Sequence, residues 1–568
     1  MKNYPLYEVR PILNLKEMLD KSCEIYAEKT AYLSKTNPES EYDQITYAQL
    51  KRDVDAFGTA MIDMGMKSKR IGVMGENRYE WSISYLAAVN GTGVVVPIDK
   101  ELPANEIEGI LKRLDISIFI YSDKIEEKIR SLKANTEIVK YFVKMGTVED
   151  ENGHLGFWKI MEKGRQLVKD GDRRFIDAEI DVSANNILLL TSATTDISKV
   201  VMLTHKNIAE NIMAMNRAVD INDKDTFLSI LPIHHVYECT CGFLTPLFKG
   251  ASIAYCDGLK YVVKNLAESK TTILLAVPLV VEMMYKKVFE AAEKKGIKKK
   301  LQTGIKISNF LMKLRIDVRK KLFHEVQASF GGHMRLIVSG AAAIDPEVST
   351  GFRALGLHVI QGYGLTECSP ILGVNREFYY KDAAAGFPLD NVEIKIDNPD
   401  DNGVGEILAK GPSVFKGYMD NDEATAKAFK DGWFCTGDLG KQDKEGFIYI
   451  TGRKKNVIVT KNGKNIFPEE IEMMLGKSPF VLESVVYGKR SEGESEEIIT
   501  AIIVPNLEKI KEITGNETIS NDEIYNLIKQ EVKEVNNKLT TYKYVKEVEL
   551  RDIEFAKTTT KKIKRYVK

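Results

Sequence analysis

Between the apolar runs "NILLL" and "VVML", the stretch "TSATTDISK" sets Thr191, Ser192, Thr194, Thr195 and Lys199 within a few residues of one another. Hydroxyls and an ammonium can hold phosphate oxygens, together with a concave arrangement of backbone amides. The stretch contains no glycine, and its apolar flanks predict a loop joining two strands rather than one that opens a helix. A second stretch, "QGYGLTECSP" (361–370), offers the Thr366 hydroxyl and the Glu367 carboxylate, an oxygen ligand of the kind Mg²⁺ takes, beside glycines that let backbone come close to a ligand. In "GWFCTGDLG" (432–440) Asp438 falls on a predicted turn. Arg453 in "TGRKK" brings planar, forked donors, and Lys562 lies in the basic tail "KTTTKKIKR" (557–565). Taken singly, each has a plainer reading: a glycine turn, a structural aspartate, a solvated tail.

The elements that must position these groups alternate short apolar strands with amphipathic helices. "RIGVMG", "NRYEWSISYLAAVNGTG" and "VVVPID" form a strand, helix, strand unit, and "SIFIYSD" follows another helix. This is the pattern of an α/β domain with a largely parallel sheet. It recurs at "TFLSILPI", "TILLAV", "MRLIVSG" and "HVIQGYG", the last two ending in small residues where strand ends host ligands. From about residue 386 the texture turns to hairpins with Asp-Asn-Gly and Asn-Gly turns. A compact pattern follows, with helices at "PEEIEMMLGKS" and "NDEIYNLIKQEVKEVNNKL" and strands at "VLESVVYG" and "EIITAIIVP". A domain boundary is placed between Thr451 and Lys455, since 568 residues exceed one hydrophobic core.

With 81 basic and 81 acidic residues the chain has no global attraction to nucleic acid or anionic lipid, so an electrostatic partner must meet a local patch. The six cysteines have neither metal-ligand spacing nor the density of a disulfide scaffold, which fits reduced thiols in a cytoplasm, with Cys239 and Cys241 as core residues. The N-terminus lacks the apolar run of a signal peptide, and no 18-residue apolar span occurs, so a cytoplasmic protein, or one bound at a membrane surface, is expected. One segment is strongly charged: residues 286–321 hold 13 Lys or Arg against 3 Asp or Glu. Ile307, Phe310, Leu311, Leu314, Val318, Leu322 and Val326 recur there at helical spacing. The expected arrangement is a solvated helix packing that stripe on its own domain; the alternative is peripheral contact with an anionic membrane.

In order and spacing, "QGYGLTECSP", "GWFCTGDLG", "GFIYITGRKKNVIVTKNGKNIFPEEIE" and "KTTTKKIKR" resemble the adenylate-forming superfamily across nearly the whole chain, and within it the long-chain fatty acyl-CoA synthetases. The resemblance implies a two-step reaction. A carboxylate attacks the α-phosphate of ATP, giving an acyl adenylate and pyrophosphate, and a thiol, usually that of coenzyme A, then displaces AMP. It implies an α/β fold: an AMP-binding domain over 1–452, with β-sheets flanked by helices and a small β-barrel-like part, and a small, mobile α+β domain over 453–568. Implied substrates and cofactors are a fatty acid, ATP, Mg²⁺ and coenzyme A. The basic insertion ending "RKKLFHEVQASFGGHMRLIVSGAAAI" resembles that of long-chain enzymes and favours a medium or long acid.

The resemblance also assigns roles. Thr191, Ser192, Thr194, Thr195 and Lys199 hold the triphosphate with Thr366, Glu367 ligates Mg²⁺, Tyr363 stacks on adenine, and Asp438 accepts from the ribose hydroxyls. Arg453 contacts ribose and phosphate, Lys455 is the hinge of the C-terminal domain, and Lys562 stabilises charge growing at the α-phosphate. His235 in "LPIHHVYE" borders the carboxylate pocket, unless His234 does, and Gly340, Ala341 and Ala342 of "SGAAAI" with Gly362 leave room for adenine and acyl group. Gly463 marks the pantetheine tunnel. Lys561 stands where the family has glycine, so a register shift onto Lys561 is the alternative to Lys562.

The phosphate loop departs from the family's Thr-Ser-Gly-Thr-Thr-Gly-x-Pro-Lys-Gly: Ala193, Asp196 and Val200 replace the glycines and Ser198 the proline. At about 6 Å from a phosphate charge and an effective dielectric of about 20, the Asp196 carboxylate costs about 3 kcal/mol, roughly a hundredfold in affinity. The favoured reading is an active enzyme whose Asp196 turns to solvent or to Mg²⁺. Rivals are an acyl-AMP ligase that loads an acyl carrier protein and a non-catalytic adenylate or acyl binder. Oligomeric state is not addressed by the sequence.

Overall fold

The computed structural model describes the chain apart from residues 1–4, 133–137, 152, 192–198, 460–463, 491–496, 517, 559–561 and 566–568. It divides into two compact units, Met1–Glu393 with Ala409–Gly432, and Ile394–Leu408 with Trp433–Lys568. The boundary expected at 452/453 therefore falls inside the second unit. By contacts, residues 394–408 and 433–452 group with the C-terminal elements in that unit.

The first unit contains two sheets. A seven-stranded sheet runs in the order Leu155–Gly156, Tyr141–Lys144, Ile116–Tyr121, Lys69–Met74, Gly93–Ile98, Ile187–Leu190, Val200–Leu203, parallel except for its last strand. The expected strands at "RIGVMG", "VVVPID" and "SIFIYSD" lie at its centre, where burial on both faces accounts for their nearly continuous apolar character. The antiparallel pair Ile187–Leu190 and Val200–Leu203 makes the phosphate loop a strand-to-strand connection, as its apolar flanks predict.

A nine-stranded sheet is parallel through its middle: His358–Gly364, Leu336–Ser339, Ile273–Ala276, Thr226–Ser229, Ser252–Tyr255 and Thr30–Ser34. Side chains alternate across its strands. Leu274, Ala276 and Ile337 face a core with Phe323, Phe330 and Phe352, while Ile273, Leu275, Leu336 and Val338 face a cavity on the other side. The helix His205–Ala218 is started by a capping box between Thr204 and Asn207, and beyond it the chain winds through the π-helical stretch Glu238–Leu244.

Within that stretch Glu238 is 1% exposed. Ser229 donates to its Oε1, Asn77 donates to Ser229 Oγ (2.8 Å), and Oε2 has no partner. Burial pushes Glu238 from 4.5 up to about 8. A folded value above the unfolded one gives stability that is fully present below pH 4.5 and lost as pH rises through 8, at most roughly 5 kcal/mol from this group. The variant Glu238→Gln is expected to gain stability over the parent between pH 5 and pH 8, read by denaturant unfolding at both. Parallel pH dependences would contradict the assignment.

In the second unit, the strands Glu393–Asp397, Gly405–Lys410, Trp433–Gln442 and Ile448–Arg453 are neighbours in one antiparallel-edged sheet. A three-stranded sheet, Val481–Arg490, Glu497–Pro505 and Glu547–Leu550, packs with the helices Pro468–Leu475 and Asn521–Asn536 around Ile471, Val486, Ile503 and Ile528. These are the helices and strands expected there from the sequence.

The basic segment departs from expectation. Residues 286–321 run from the end of the helix Pro278–Lys294 through Lys298–Lys313 into Arg319–Leu322, with His324–Ser329 following, and the only fully buried residues of Lys298–Lys313 are Gly304 and Ser308. Ile307, Phe310, Leu314 and Leu322 of the expected buried stripe are exposed. Gly304 lies near Phe323, and Leu301 and Ile305 of the same helix pack against the core that Phe323 belongs to, so this side faces the protein while Ile307, Phe310 and Leu314 are left on another.

Candidate active site

In the first unit, three segments meet at Glu367. Thr366–Cys368 is a single 3₁₀ turn after the strand His358–Gly364. Phe415 N–H donates to the Glu367 carbonyl (2.8 Å), and Tyr418 Oη donates to Glu367 Oε1 (2.9 Å). Tyr418 is brought there by backbone pairing with the strand Val200–Leu203: it bridges Val201, and Met419 N–H donates to Val200 O (2.9 Å). The same pairing sets Lys199 over the Tyr418 ring, its ammonium 4.6 Å from the centroid. Thr191 donates its N–H to Lys199 O (3.0 Å), closing the neck of the loop. The structure thus joins Thr191, Lys199, Thr366 and Glu367, while Ser192, Ala193, Thr194, Thr195, Asp196 and Ser198 lie outside the described residues.

Glu367 suits a hard cation. Tyr418 engages one oxygen, and no group of three or more His, Cys, Asp or Glu gathers anywhere among the described residues. Mg²⁺ is commonly held by one or two carboxylates with substrate phosphates and water completing the shell, which fits a lone acid beside a phosphate-type loop. Tyr418 was not singled out in the sequence; its role comes from a strand pairing that no local pattern encodes. Tyr418→Phe, which frees Glu367 to swing, is expected to lower turnover about tenfold and raise the Mg²⁺ concentration needed for half-maximal rate. An unchanged Mg²⁺ requirement would contradict that role.

Beside this cluster, "SGAAAI" and "LPIHHVYE" are packed together. Tyr237 Oη donates to Val338 O (3.0 Å), and a Cβ at Gly340 would come within 2.7 Å of the Tyr237 ring, so glycine is required there. Ala341 has φ of 70°, a left-handed conformation that costs a non-glycine residue about 1 kcal/mol. Ala342 is exposed next to it, and Tyr363 is 9% exposed in the adjacent strand. His235 accepts from the Tyr237 N–H at Nδ1 (3.3 Å), whereas His234 Nε2 lies 3.7 Å from Asp99 and its pKa is lowered by burial. Tyr237 and Gly362 then line an apolar cavity with Met215, Phe227, Leu275 and Val338; none of its lining side chains carries charge.

In the second unit, Asp438 lies within the strand Trp433–Gln442 rather than on the expected turn. Gly437, with φ of 70°, absorbs the turn-like conformation inside the ladder. Asp438 is 4% exposed and pairs across the ladder with Arg453, whose Nε is 2.6 Å from Oδ1. The 3₁₀ turn Lys454–Asn456 follows, and Lys455 is lowered by burial and then by Arg453 and Arg565.

The tail returns to the same place. Lys557 and Ile563 bridge, Thr558 N–H donates to Lys562 O (2.8 Å), and Lys564 N–H to Ala556 O (2.7 Å), so the segment doubles back as a narrow hairpin. Ile563 packs against Val485, Val504 and Phe555, and Arg565 donates to Val486 O (3.2 Å) and pairs with Glu472. Burial pushes Glu472 up to about 7, with Arg565 opposing. Held between these anchors, Lys562 is lowered to about 8 by desolvation and then by Arg453, with Asp438 opposing. The residue is exposed, so solvent screens these charges. Lys561 and Gly463 lie outside the described residues.

Residues 19–419 match the family model described as AMP-binding enzyme, and residues 455–566 the one described as AMP-binding enzyme C-terminal domain. Long-chain-fatty-acid–CoA ligase 1 of Cavia porcellus is 30% identical over 519 residues, 84% of this chain and 72% of its own. Fatty acyl-CoA synthetase B of Dictyostelium discoideum is 26% identical over 544 residues, 90% and 80% of the two chains. Among solved structures, the anthranilate CoA ligase AuaEII in complex with anthranoyl-AMP superposes with a TM-score of 0.76 at 21% identity, covering 99% of this chain and 97% of that one. ATP-bound MatB from Rhodopseudomonas palustris gives 0.74 at 23%, with 97% of each covered.

Proposed function

The chain belongs to the AMP-binding enzyme family, and from that premise we propose that it is an AMP-forming ligase that joins a medium- or long-chain fatty acid to coenzyme A through an acyl adenylate. The observation that carries the choice of acid is the uncharged cavity beside Gly362 and Tyr237. An alkyl chain gains about 0.8 kcal/mol for each methylene moved there from water, whereas a short or charged acid gains little. The relatives named for long-chain and fatty acyl substrates support the same class.

In this reading Lys199 and the hydroxyls of Thr191 and Thr366 hold the triphosphate, and Glu367, steadied by Tyr418, takes Mg²⁺. The cation, when bound, neutralises phosphate charge as pyrophosphate leaves. Tyr363 and the small residues Gly340, Ala341 and Ala342 admit adenine, with His235 at the border of the carboxylate pocket. Asp438 accepts from the ribose hydroxyls and Arg453 contacts ribose and phosphate. Lys562 places its ammonium where negative charge grows at the α-phosphate. Lys455, at the turn after Arg453, is the hinge about which the elements that follow it move between half-reactions, and Gly463 borders the path of the thiol.

The test is a mixture of acids from butyrate to icosanoate with ATP, Mg²⁺ and either coenzyme A or an acyl carrier protein as the thiol, read by mass for thioesters. Acyl-CoA products concentrated among the longer chains are expected. No thioester from any acid, or thioesters only on an acyl carrier protein, would contradict the proposal.

A further inference from the structure

The helices of the basic segment present an apolar surface framed by cations. On Lys298–Lys313, Ile307 is 52% exposed, Phe310 62% and Leu314 57%. At about 100° per residue these three fall within roughly 60° of one another on the helix, their arc centred roughly 140° from the mean direction of Gly304, Ser308, Leu301 and Ile305, which face the protein. Lys299, Lys306 and Lys313 follow on one flank of that arc and Lys300 on the other. Leu279 and Met283 of the preceding helix Pro278–Lys294, with Ile316 and Leu322 beyond, are also exposed.

The charge is largely uncompensated. Residues 286–321 hold 13 Lys or Arg and 3 acidic residues, an excess of ten in a chain whose total is zero. Ion pairs engage Lys295 with Glu325, Lys298 with Glu293 and Arg319 with Asp317, so two of the three acids are already taken. The segment packs on the face of the nine-stranded sheet opposite the apolar cavity, so its exposed side chains are not part of that cavity's wall.

We propose that this surface, centred on Ile307, Phe310 and Leu314, docks the protein on an anionic lipid bilayer, the apolar side chains entering the acyl boundary and the flanking lysines meeting the headgroups. Apolar residues rimmed by lysines along one helical arc are the arrangement by which interfacial helices bind. A second copy of the chain would bring the same positive charge against it, which disfavours self-association there. An acidic protein would satisfy the lysines but leaves three exposed apolar side chains at the centre without a charge-based partner.

The test uses the full chain, without substrates, and large unilamellar vesicles of phosphatidylcholine alone or with about a third phosphatidylserine, so its result does not depend on the proposed reaction. Co-sedimentation with the anionic vesicles only, weakened by salt, is expected. Ile307→Ser/Phe310→Ser/Leu314→Ser is expected to weaken it at least tenfold, and so is Lys299→Glu/Lys306→Glu/Lys313→Glu, with circular dichroism unchanged. Phe310→Trp is expected to shift its emission to the blue on adding anionic vesicles, relative to the parent. Absence of vesicle binding, binding indifferent to the serine substitutions, or an unshifted Trp emission would each overturn the proposal. So would binding of an acidic carrier protein, lost in both variants, without any vesicle binding.

Discussion

Replacing Lys562 by alanine is expected to slow acyl-adenylate formation by about a hundred- to a thousandfold, the loss seen when one preorganised donor to developing negative charge is removed. Coenzyme A thioester formation from a supplied acyl adenylate is expected to change by no more than a few fold, because in the proposed reading the C-terminal domain has turned about Lys455 by that step and Lys562 no longer serves the departing phosphate. The tail, fixed by Ile563 and Arg565, sets the Lys562 ammonium near Arg453 and Asp438. The lowered pKa adds a second readout. Charged lysine is needed, so adenylation is expected to decline at a pH below the 10.5 of an ordinary lysine, and Lys562→Arg should remove that decline. Equal loss of both half-reactions in Lys562→Ala would contradict the assignment.

The second large effect is expected from Arg565→Ala, through placement rather than contact with substrate. Arg565 donates to Val486 O and pairs with Glu472, a carboxyl that burial raises from 4.5 to about 7. Its removal is expected to lower adenylation at least tenfold, to spare thioester formation from a supplied adenylate, and to cost about 1–3 kcal/mol of stability. The sign of the pH dependence follows from Glu472. Its folded value lies above the unfolded one, so its stabilising contribution is intact below pH 4.5 and lost as pH rises through 7. Without Arg565 the folded value rises further, so the gap between parent and variant is expected to be small at pH 5 and wider at pH 8. Arg565→Lys should recover part of the adenylation rate. Full activity in Arg565→Ala would show that the tail needs no such anchor.

How much of this was legible in the sequence depended on whether the controlling interactions were local. The strands at "RIGVMG", "TILLAV" and "MRLIVSG" announce themselves because both faces are buried and the runs are apolar throughout. Glu367, Asp438, Arg453 and Lys562 stand out as residue types within motifs. Asp438 was misplaced onto a turn because Gly437 carries turn conformation inside a continuous strand. Tyr418 and Arg565 were not given their roles, since each acts through a partner far along the chain, Glu367 for one and Glu472 for the other. In the basic segment, helical spacing identified a stripe but could not say which side faces the protein. Leu301 and Ile305, which pack on the core beside the buried Gly304 and Ser308, decide that and leave Phe310 outside.

The central claim is that this chain forms an acyl adenylate from a fatty acid, and the most direct measurement is ATP–pyrophosphate exchange with and without a long-chain fatty acid, in Mg²⁺ and without coenzyme A. The account predicts exchange that depends on the acid and is nearly abolished in Lys562→Ala. Exchange absent with every fatty acid from butyrate to icosanoate would contradict it.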